Sequence, residues 1–228
     1  MNNPTPPRVL EVCVETRDDL EAALAGGADR IELNRDLAQD GLTPGAGAVS
    51  WARARTELPL IVMIRPHHRG FVYSAQEVHA MVEAMATLSA LGVDGYAVGP
   101  LTAEGTVDAS ALKTLVAAAA GLDVVYHRAF DHVADRSRGL ETLIDHGVVR
   151  VLTSGGAPSA VEGVHRIADL VVRAAERIEI LPGGGITPSN ADAILRGTGC
   201  TQLHGTFRLG GMCTDAAAVA QVRQLLHA

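Results

Sequence analysis

The sequence predicts an α/β fold with one domain, a single-domain (β/α)8 TIM barrel, and three observations carry this prediction. The chain has 228 residues, of which 47% are hydrophobic and 20% charged, which suits one globular barrel domain. Strand-like apolar runs alternate with helical stretches along the whole chain, and this alternation is typical of a parallel sheet. A glycine-led motif precedes every second strand and indicates a weak internal repeat.

The strand-like runs are apolar and rich in β-branched residues. Between them, Ser74 and Glu77 have the spacing of a capping box, and Thr187 precedes Pro188 in the order favoured at a first helical turn. The barrel domain is therefore predicted to span residues 9–228, after a loose N-terminal tail at 1–8. The predicted strands are 9–14, 29–33, 60–65, 94–99, 122–127, 149–154, 178–182 and 201–205.

The repeat indicates which side chains face the barrel lumen. Gly27, Gly92, Gly147 and Gly199 precede strands two, four, six and eight. Side chains alternate between the two faces of a strand. In each aligned strand, therefore, every second residue faces the surrounding helices and the residues between them face the lumen. With the odd strands phased in the same way, the predicted lumen side chains include Glu11, Cys13, Arg30, Glu32, Met63, Arg65, Val125, His127, Arg150, Ser154, Gln202 and His204.

The predicted lumen is unusually polar, whereas packing alone favours valine, isoleucine and leucine inside a barrel. Glu11, Glu32, Arg65, His127 and His204 fall near the carboxyl ends of their strands, where barrel enzymes gather catalytic groups. Buried charges are costly unless they are paired or solvated. The five residues together therefore favour a functional site, and a lumen ion pair is the alternative reading of each one alone.

The stretch after the fifth strand adds candidates for catalysis. His127, Arg128 and Asp131 offer a proton acceptor, an anion anchor and a carboxylate within five residues. The alternative is a buried ion pair beside a structural histidine. An enzyme that uses acid–base chemistry would take Glu11, Glu32, His127 and Asp131 as its catalytic residues.

A small anionic ligand is the predicted partner of the barrel mouth. The glycine-rich turn at 183–185 follows the seventh strand, and backbone N–H groups in such a turn bind anions, although plain turn geometry is the alternative. An arginine offers a bidentate fork to a carboxylate or phosphate. The predicted ligand-binding residues are Arg65, Arg128, Ser154, Gly184, Gly185 and His204.

Metal binding is the other chemistry that the lumen residues offer. Glu11, Glu32, His127 and His204 are the carboxylate and imidazole donors that could hold a divalent cation. Soft Cu(I) sites favour clustered cysteine and methionine, and of these residues only Cys13 and Met63 share the predicted lumen, so the residues alone give copper little support. If copper does bind, Cys13 is the predicted metal ligand, because its thiolate is the strong soft donor there.

Composition argues against several classes of function. A formal net charge of −7 without a basic stripe argues against nucleic-acid binding, and no apolar run is long enough to span a membrane. Cys13, Cys200 and Cys213 are too scattered for a disulfide framework.

Lysine chemistry is also not expected to be the function of the site. A Schiff-base enzyme needs a lysine in its active site, and Lys113, the only lysine, lies in a predicted peripheral helix. The N-terminus has no signal-peptide pattern, so a cytoplasmic location is expected.

Several stretches of the chain match the motifs of one family, namely Leu10-Glu11-Val12-Cys13, Gly27-Ala28-Asp29-Arg30-Ile31-Glu32-Leu33, Gly41-Leu42-Thr43-Pro44, Ile64-Arg65-Pro66, Phe71 with Tyr73-Ser74, His127-Arg128-Ala129-Phe130-Asp131 and Val151-Leu152-Thr153-Ser154-Gly155. On these motifs the chain resembles the CutC family of copper homeostasis proteins over nearly its whole length. The resemblance implies a TIM barrel, a cytoplasmic homo-oligomer (dimer or tetramer) and copper as the bound metal. Family members can carry a second cysteine where this chain has Val14. The family's matching rim residues are Glu11, Glu32, Arg65, His127, Arg128 and Asp131.

Two functional hypotheses stand side by side at this point. The first is a CutC-like protein of copper homeostasis that binds copper without catalysis. The second is a TIM-barrel enzyme that acts on a small anionic metabolite, with glutamate and histidine as acid and base and arginine as anion anchor. The fold does not decide between them, because barrels host many chemistries.

Overall fold

A computed structural model describes residues 8–228, so the predicted tail at 1–8 lies almost wholly outside the described residues. Within them, eight parallel strands form one sheet in the order β7-β6-β5-β4-β3-β2-β1-β8. A bridge between Gly183 and His204 joins the two edges of the sheet and brings it to closure as a barrel. The predicted (β/α)8 TIM barrel is confirmed.

Strands and helices alternate strictly along the chain, as the βα repeat requires. Each predicted strand is present, with β3 ending at Met63 and β5 at Tyr126, one or two residues earlier than predicted. The strands are β1 Val9–Val14, β2 Arg30–Leu33, β3 Leu60–Met63, β4 Gly95–Val98, β5 Asp123–Tyr126, β6 Arg150–Thr153, β7 Glu179–Pro182 and β8 Gln202–Gly205. The α-helices are α1 Arg17–Ala25, α2 Ala46–Arg55, α3 Ala75–Ser89, α4 Ala109–Ala118, α5 Arg136–Asp145, α6 Val164–Ala174, α7 Ala191–Thr198 and α8 Ala216–His227.

The two predicted helix starts have different outcomes. The capping box before α3 is confirmed, because Glu77 N donates to Ser74 Oγ (3.2 Å) and Ser74 N donates to the Glu77 carboxylate (2.8 Å). The start predicted at Thr187 is wrong, since α7 begins at Ala191. Asn190 explains the difference: its side chain accepts from Thr187 N and donates to the carbonyl of Gly185, both at 2.8 Å, and so holds residues 185–190 as a turn.

The predicted alternation of faces is confirmed, and it divides the lumen into two halves. Outward side chains such as Ile31, Tyr96 and Val151 are fully buried in the layer between strands and helices. The lumen side chains of β3, β4 and β5 form a small apolar cluster of Ile61, Met63, Ala97 and Val125. On β1, β2, β6 and β8 the buried inward residues include charged or polar ones, namely Glu11, Arg30, Glu32, Arg150, Gln202 and His204.

Strand register places the polar half of the lumen around β1. Cys13 is paired with Glu32 on β2, and Glu11 is paired with His204 on β8. Since the strands are parallel, Cys13 lies nearer the carboxyl end of the barrel than Glu11, on the same face of β1. As for membrane insertion, none of the helices within residues 8–228 combines the length and the hydropathy that a crossing requires.

Candidate functional site

A cavity of about 480 Å³ opens at the carboxyl ends of the strands. Four of the five predicted rim residues line it, namely Glu32, Arg65, His127 and His204. Glu11 is not among the lining residues; it lies below Cys13 and is only 1% exposed. The alternation of faces thus predicts the correct direction for Glu11 but not its depth in the barrel.

The carboxylate of Glu11 is held on both sides. Arg30 Nε donates to Glu11 Oε2, and His204 Nδ1 lies 2.7 Å from Glu11 Oε1. Burial disfavours the charged carboxylate, but Arg30 and the hydrogen bond from His204 outweigh it and hold the pKa of Glu11 well below its ordinary value. Glu11 is therefore ionised and orients His204. The catalytic role predicted for it stays a prediction.

Cys13, Glu32 and His204 form a buried group at the base of the cavity. One potential ligand atom from each of them lies within 4.8 Å of the other two. Asn34 Nδ2 donates to Cys13 Sγ (3.2 Å) and to Glu32 Oε1 (2.9 Å), whereas Glu32 Oε2 is buried without a hydrogen-bond partner. Because Glu11 occupies His204 Nδ1, the free imidazole nitrogen is Nε2. A thiol, a carboxylate oxygen and an imidazole nitrogen are thus available to one cation.

Burial and the neighbouring carboxylates change the pKa of each member of this group. Burial and the nearby Glu32 carboxylate raise the pKa of the Cys13 thiol well above its usual value. Burial alone would lower the pKa of His204, but the carboxylates of Glu32 and Glu11 raise it. Burial also raises the pKa of Glu32. Without a cation, the group therefore keeps a protonated thiol, and its imidazole holds its proton more tightly than a free histidine does.

Asn34 is a site residue that the sequence interpretation missed. It is 1% exposed and holds Cys13 and Glu32 in place with one amide nitrogen. The sequence pattern that could have placed Asn34 in the site is the spacing Glu32-x-Asn34. Residues two apart on an extended segment share a face, so Asn34 follows Glu32 into the lumen.

His127 caps the short 3₁₀-helix Arg128–His132, since its Nδ1 accepts from Ala129 N at 3.1 Å. Its proton is therefore on Nε2, which is buried and has no partner. Burial, and next the charge of Arg65, lower the pKa of His127 to about 3. At this pKa the folded protein holds His127 as a neutral imidazole near neutral pH. The catalytic role predicted for His127 stays a prediction.

Asp131 joins the segment after β5 to the loop after β6. Its Oδ2 accepts from Arg128 Nε at 2.9 Å, and its Oδ1 accepts from Thr153 Oγ1 (2.6 Å) and Gly156 N (2.9 Å). Ser154 N and Oγ also donate to Asp131, at 3.0 Å each. Both carboxylate oxygens are thus engaged in holding Arg128 and the loop, and the predicted catalytic role of Asp131 stays a prediction.

Gly184 and Gly185 line the cavity beside Arg128. Both have positive φ angles, of 102° and 71°, that glycine adopts without strain. A Cβ added at Gly184 would lie 3.2 Å from Arg128 Cζ, so the absence of a side chain gives the guanidinium its space. Arg128 NH2 also donates to Ser154 Oγ at 3.2 Å. The structure thus brings together Arg128, Ser154, Gly184 and Gly185, as predicted for a ligand-binding edge, and their binding role stays a prediction.

The fold and the site define a class of protein, a (β/α)8 barrel whose mouth holds a polar, ligand-sized cavity above a buried Cys–Glu–His group. The model of the CutC family matches residues 8–209, and the chain belongs to this family. A CutC family protein of Caulobacter vibrioides is 45% identical over 199 residues, which cover 87% of this chain and 81% of the relative.

Two further relatives are named for copper. The copper homeostasis protein cutC homolog of Mus musculus is 40% identical, over 96% of this chain and 82% of the relative. A crystal structure is available for the putative copper homeostasis protein CutC from Streptococcus agalactiae. Its sequence is 33% identical to this chain, and the two structures superpose with a TM-score of 0.83 over 87% of this chain and 98% of that one. More distant barrels share the fold alone, such as phosphoribosylanthranilate isomerase of Thermotoga maritima at 9% identity and a TM-score of 0.64, over 96% of this chain and 98% of that one.

Proposed function

We propose that this CutC family protein acts in copper homeostasis and binds a copper ion through Cys13, Glu32 and His204. The observation that carries the proposal is the buried, unpartnered Glu32 Oε2 in a group that also offers a thiol and an imidazole within 4.8 Å. A buried acceptor without a partner is costly, and a bound cation would satisfy it. The names of the mouse and streptococcal relatives support copper as that cation.

The residues present fit copper by donor chemistry. Soft thiolates suit Cu(I), and imidazole is a common copper ligand. Glu11 supports the fit, because metal-binding histidines usually have their second ring nitrogen held by a carboxylate. With a single thiolate in the group, we expect weaker Cu(I) binding than at a site of clustered cysteines. Binding also has to displace the thiol proton of Cys13, and the raised pKa of His204 favours a second proton there, so copper binding should release protons.

A titration with a competing Cu(I) chelator tests this proposal. Cys13→Ser should weaken copper binding by about 100-fold or more, because it replaces the soft thiolate with a hydroxyl. Cys213→Ser is the matched control, since Cys213 is exposed and lies outside the group, and it should bind copper like the wild type. Unchanged tight binding by Cys13→Ser would overturn the assignment and move the site to another cysteine or to the surface.

The alternative enzyme hypothesis has less support. Acid–base catalysis near neutral pH needs a group that exchanges protons there, and the pKa of His127 is about 3. Burial raises the pKa of Glu32, but this residue belongs to the Cys–Glu–His group proposed for copper. Glu11 and Asp131 each have both carboxylate oxygens engaged in hydrogen bonds. The names of the relatives point to copper handling rather than to a reaction.

We extend the proposal to a cytoplasmic homo-oligomer, a dimer or tetramer, which rests on the family resemblance. Light scattering coupled to size-exclusion chromatography tests the oligomer, and a monomer at micromolar concentration would contradict it. Cell fractionation tests the location, and recovery of the protein outside the cytoplasmic fraction would contradict it.

A further inference from the structure

The mouth cavity contains a buried positive charge without a carboxylate partner. Among the described residues, the buried Arg30 and Arg150 form ion pairs with Glu11 and Glu179. Arg65 is equally buried, at 4% exposure, and forms no ion pair with any described residue. A buried charge is normally paired, so this guanidinium is available to a negative group that the chain itself does not supply.

The unused donor of Arg65 can be identified. Its NH1 donates to the carbonyl oxygens of Gln39 (2.7 Å) and Gly41 (3.0 Å), which fixes the direction of the side chain. Its Nε is buried and makes no hydrogen bond of good geometry; the nearby group is the neutral hydroxyl of Tyr73, which is likewise unpartnered. Because the residue lines the cavity, an N–H donor on a fixed guanidinium is left for a ligand there.

His127 supplies a second unused donor in the same cavity. Its Nδ1 accepts from Ala129 N, so the ring proton is on Nε2, which is also buried and unpartnered. Phe71 contacts both side chains: the Arg65 guanidinium lies 4.8 Å from the Phe71 ring centre, and the His127 ring lies 5.3 Å from it. One aromatic ring at the cavity wall therefore packs against both groups and helps to fix their positions.

We propose that the mouth cavity binds a small metabolite with an oxyanion group, a carboxylate or a phosphate, which accepts from Arg65 Nε and His127 Nε2. Both donors are N–H groups without acceptor capacity, so they select an acceptor-only, deprotonated group. A volume of about 480 Å³ accommodates a small metabolite. This proposal goes beyond copper binding and does not depend on it, because neither residue belongs to the Cys–Glu–His group.

Arg128 has a secondary place in this site. Its guanidinium already pairs with Asp131 and Ser154, and 43% of its side chain is exposed. It lies at the edge of the cavity beside Gly184 and Gly185, where it can contact the far end of a ligand. Of the two arginines predicted to bind the ligand, this proposal therefore gives the main role to Arg65, together with His127.

Isothermal titration of the metal-free protein tests the proposal with two probes, inorganic phosphate and succinate, in a buffer that contains neither class of anion. We expect at least one probe to bind the wild type, and the probe that binds more tightly identifies the oxyanion class. Arg65→Gln should weaken that binding by about 10- to 100-fold, since it removes a charge-assisted hydrogen bond. Arg69→Gln is the matched control, because Arg69 is in the same loop but exposed, and it should bind the probe like the wild type.

Further variants keep the test decisive. His127→Asn keeps an acceptor for Ala129 N but removes the Nε2 donor, so it should also weaken binding by about tenfold. If circular dichroism shows that Arg65→Gln does not fold, Arg65→Lys replaces it, and the loss of Nε should still weaken binding by about tenfold. Because the titration uses metal-free protein, its outcome does not depend on whether the copper proposal holds. Absence of binding by both probes, or equal binding by the Arg65 variant, would overturn the inference.

Discussion

Replacing His127 with asparagine should make the stability of the barrel less sensitive to acid. The wild-type imidazole is buried in its neutral form, and its pKa of about 3 lies far below the value of about 6.5 for an unfolded histidine. As the pH falls below the unfolded value, the unfolded chain takes up a proton at this residue and the folded chain does not. The folded state therefore loses stability as the pH falls from about 6.5 towards 3.

The size of the effect follows from these two pKa values. At pH 7 the unfolded histidine is mostly neutral, and the penalty on folding is about 0.2 kcal/mol. At pH 5 the unfolded histidine is almost fully protonated, and the penalty is about 2 kcal/mol. Asparagine has no proton to gain, and its side-chain oxygen can still accept from Ala129 N as an N-cap. The variant should therefore lose about 2 kcal/mol less stability than the wild type between pH 7 and pH 5.

Urea denaturation, followed by far-ultraviolet circular dichroism at both pH values, measures this difference. The comparison uses the change with pH within each protein, so any constant cost of the substitution cancels. His79→Asn is the control, because His79 is exposed on α3, and its change with pH should match that of the wild type. Equal losses in the wild type and in His127→Asn would refute the interpretation of His127 as a buried neutral donor.

Three further predictions concern the supports of the site, and urea denaturation checks each of them. Asp131→Ala should lower the free energy of unfolding by about 3 kcal/mol, because five donors, Arg128 Nε and four groups in residues 153–156, lose a charged acceptor; a loss below about 1 kcal/mol would contradict this. Glu11→Gln should cost about 3–5 kcal/mol, since it leaves the buried Arg30 without a charge partner; a neutral effect would show that this ion pair is dispensable. Gly99→Ala should cost about 1–3 kcal/mol because its Cβ would overlap the His127 ring, and wild-type stability in this variant would contradict the packing.

The sequence carries enough local information to predict the barrel and the direction of its lumen side chains. Alternating runs and helix-ending glycines are local signals, and the parity of each strand follows from them. This is why Cys13, Glu32 and His204 could be assigned to the lumen from three separate strands. Their approach to within 4.8 Å depends on the stagger between strands, which no local pattern records.

The depth of Glu11 in the barrel and the pKa of His127 could not be predicted from such local patterns. Glu11 has the parity of a rim residue, but its depth depends on where β1 starts relative to its neighbours. The pKa of His127 depends first on burial and next on Arg65, a residue 62 positions away in sequence. Asp131 illustrates the same limit, because its hydrogen-bond partners at 153–156 come from the next βα unit.

X-ray absorption at the copper edge tests the central claim, that copper is held by Cys13, Glu32 and His204, most directly. Copper-loaded wild type should show one sulfur neighbour together with nitrogen and oxygen neighbours. Cys13→Ser, loaded in the same way, should lose the sulfur neighbour, while Cys213→Ser keeps it. A sulfur neighbour that persists in Cys13→Ser, or that is missing from the wild type, would contradict the claim.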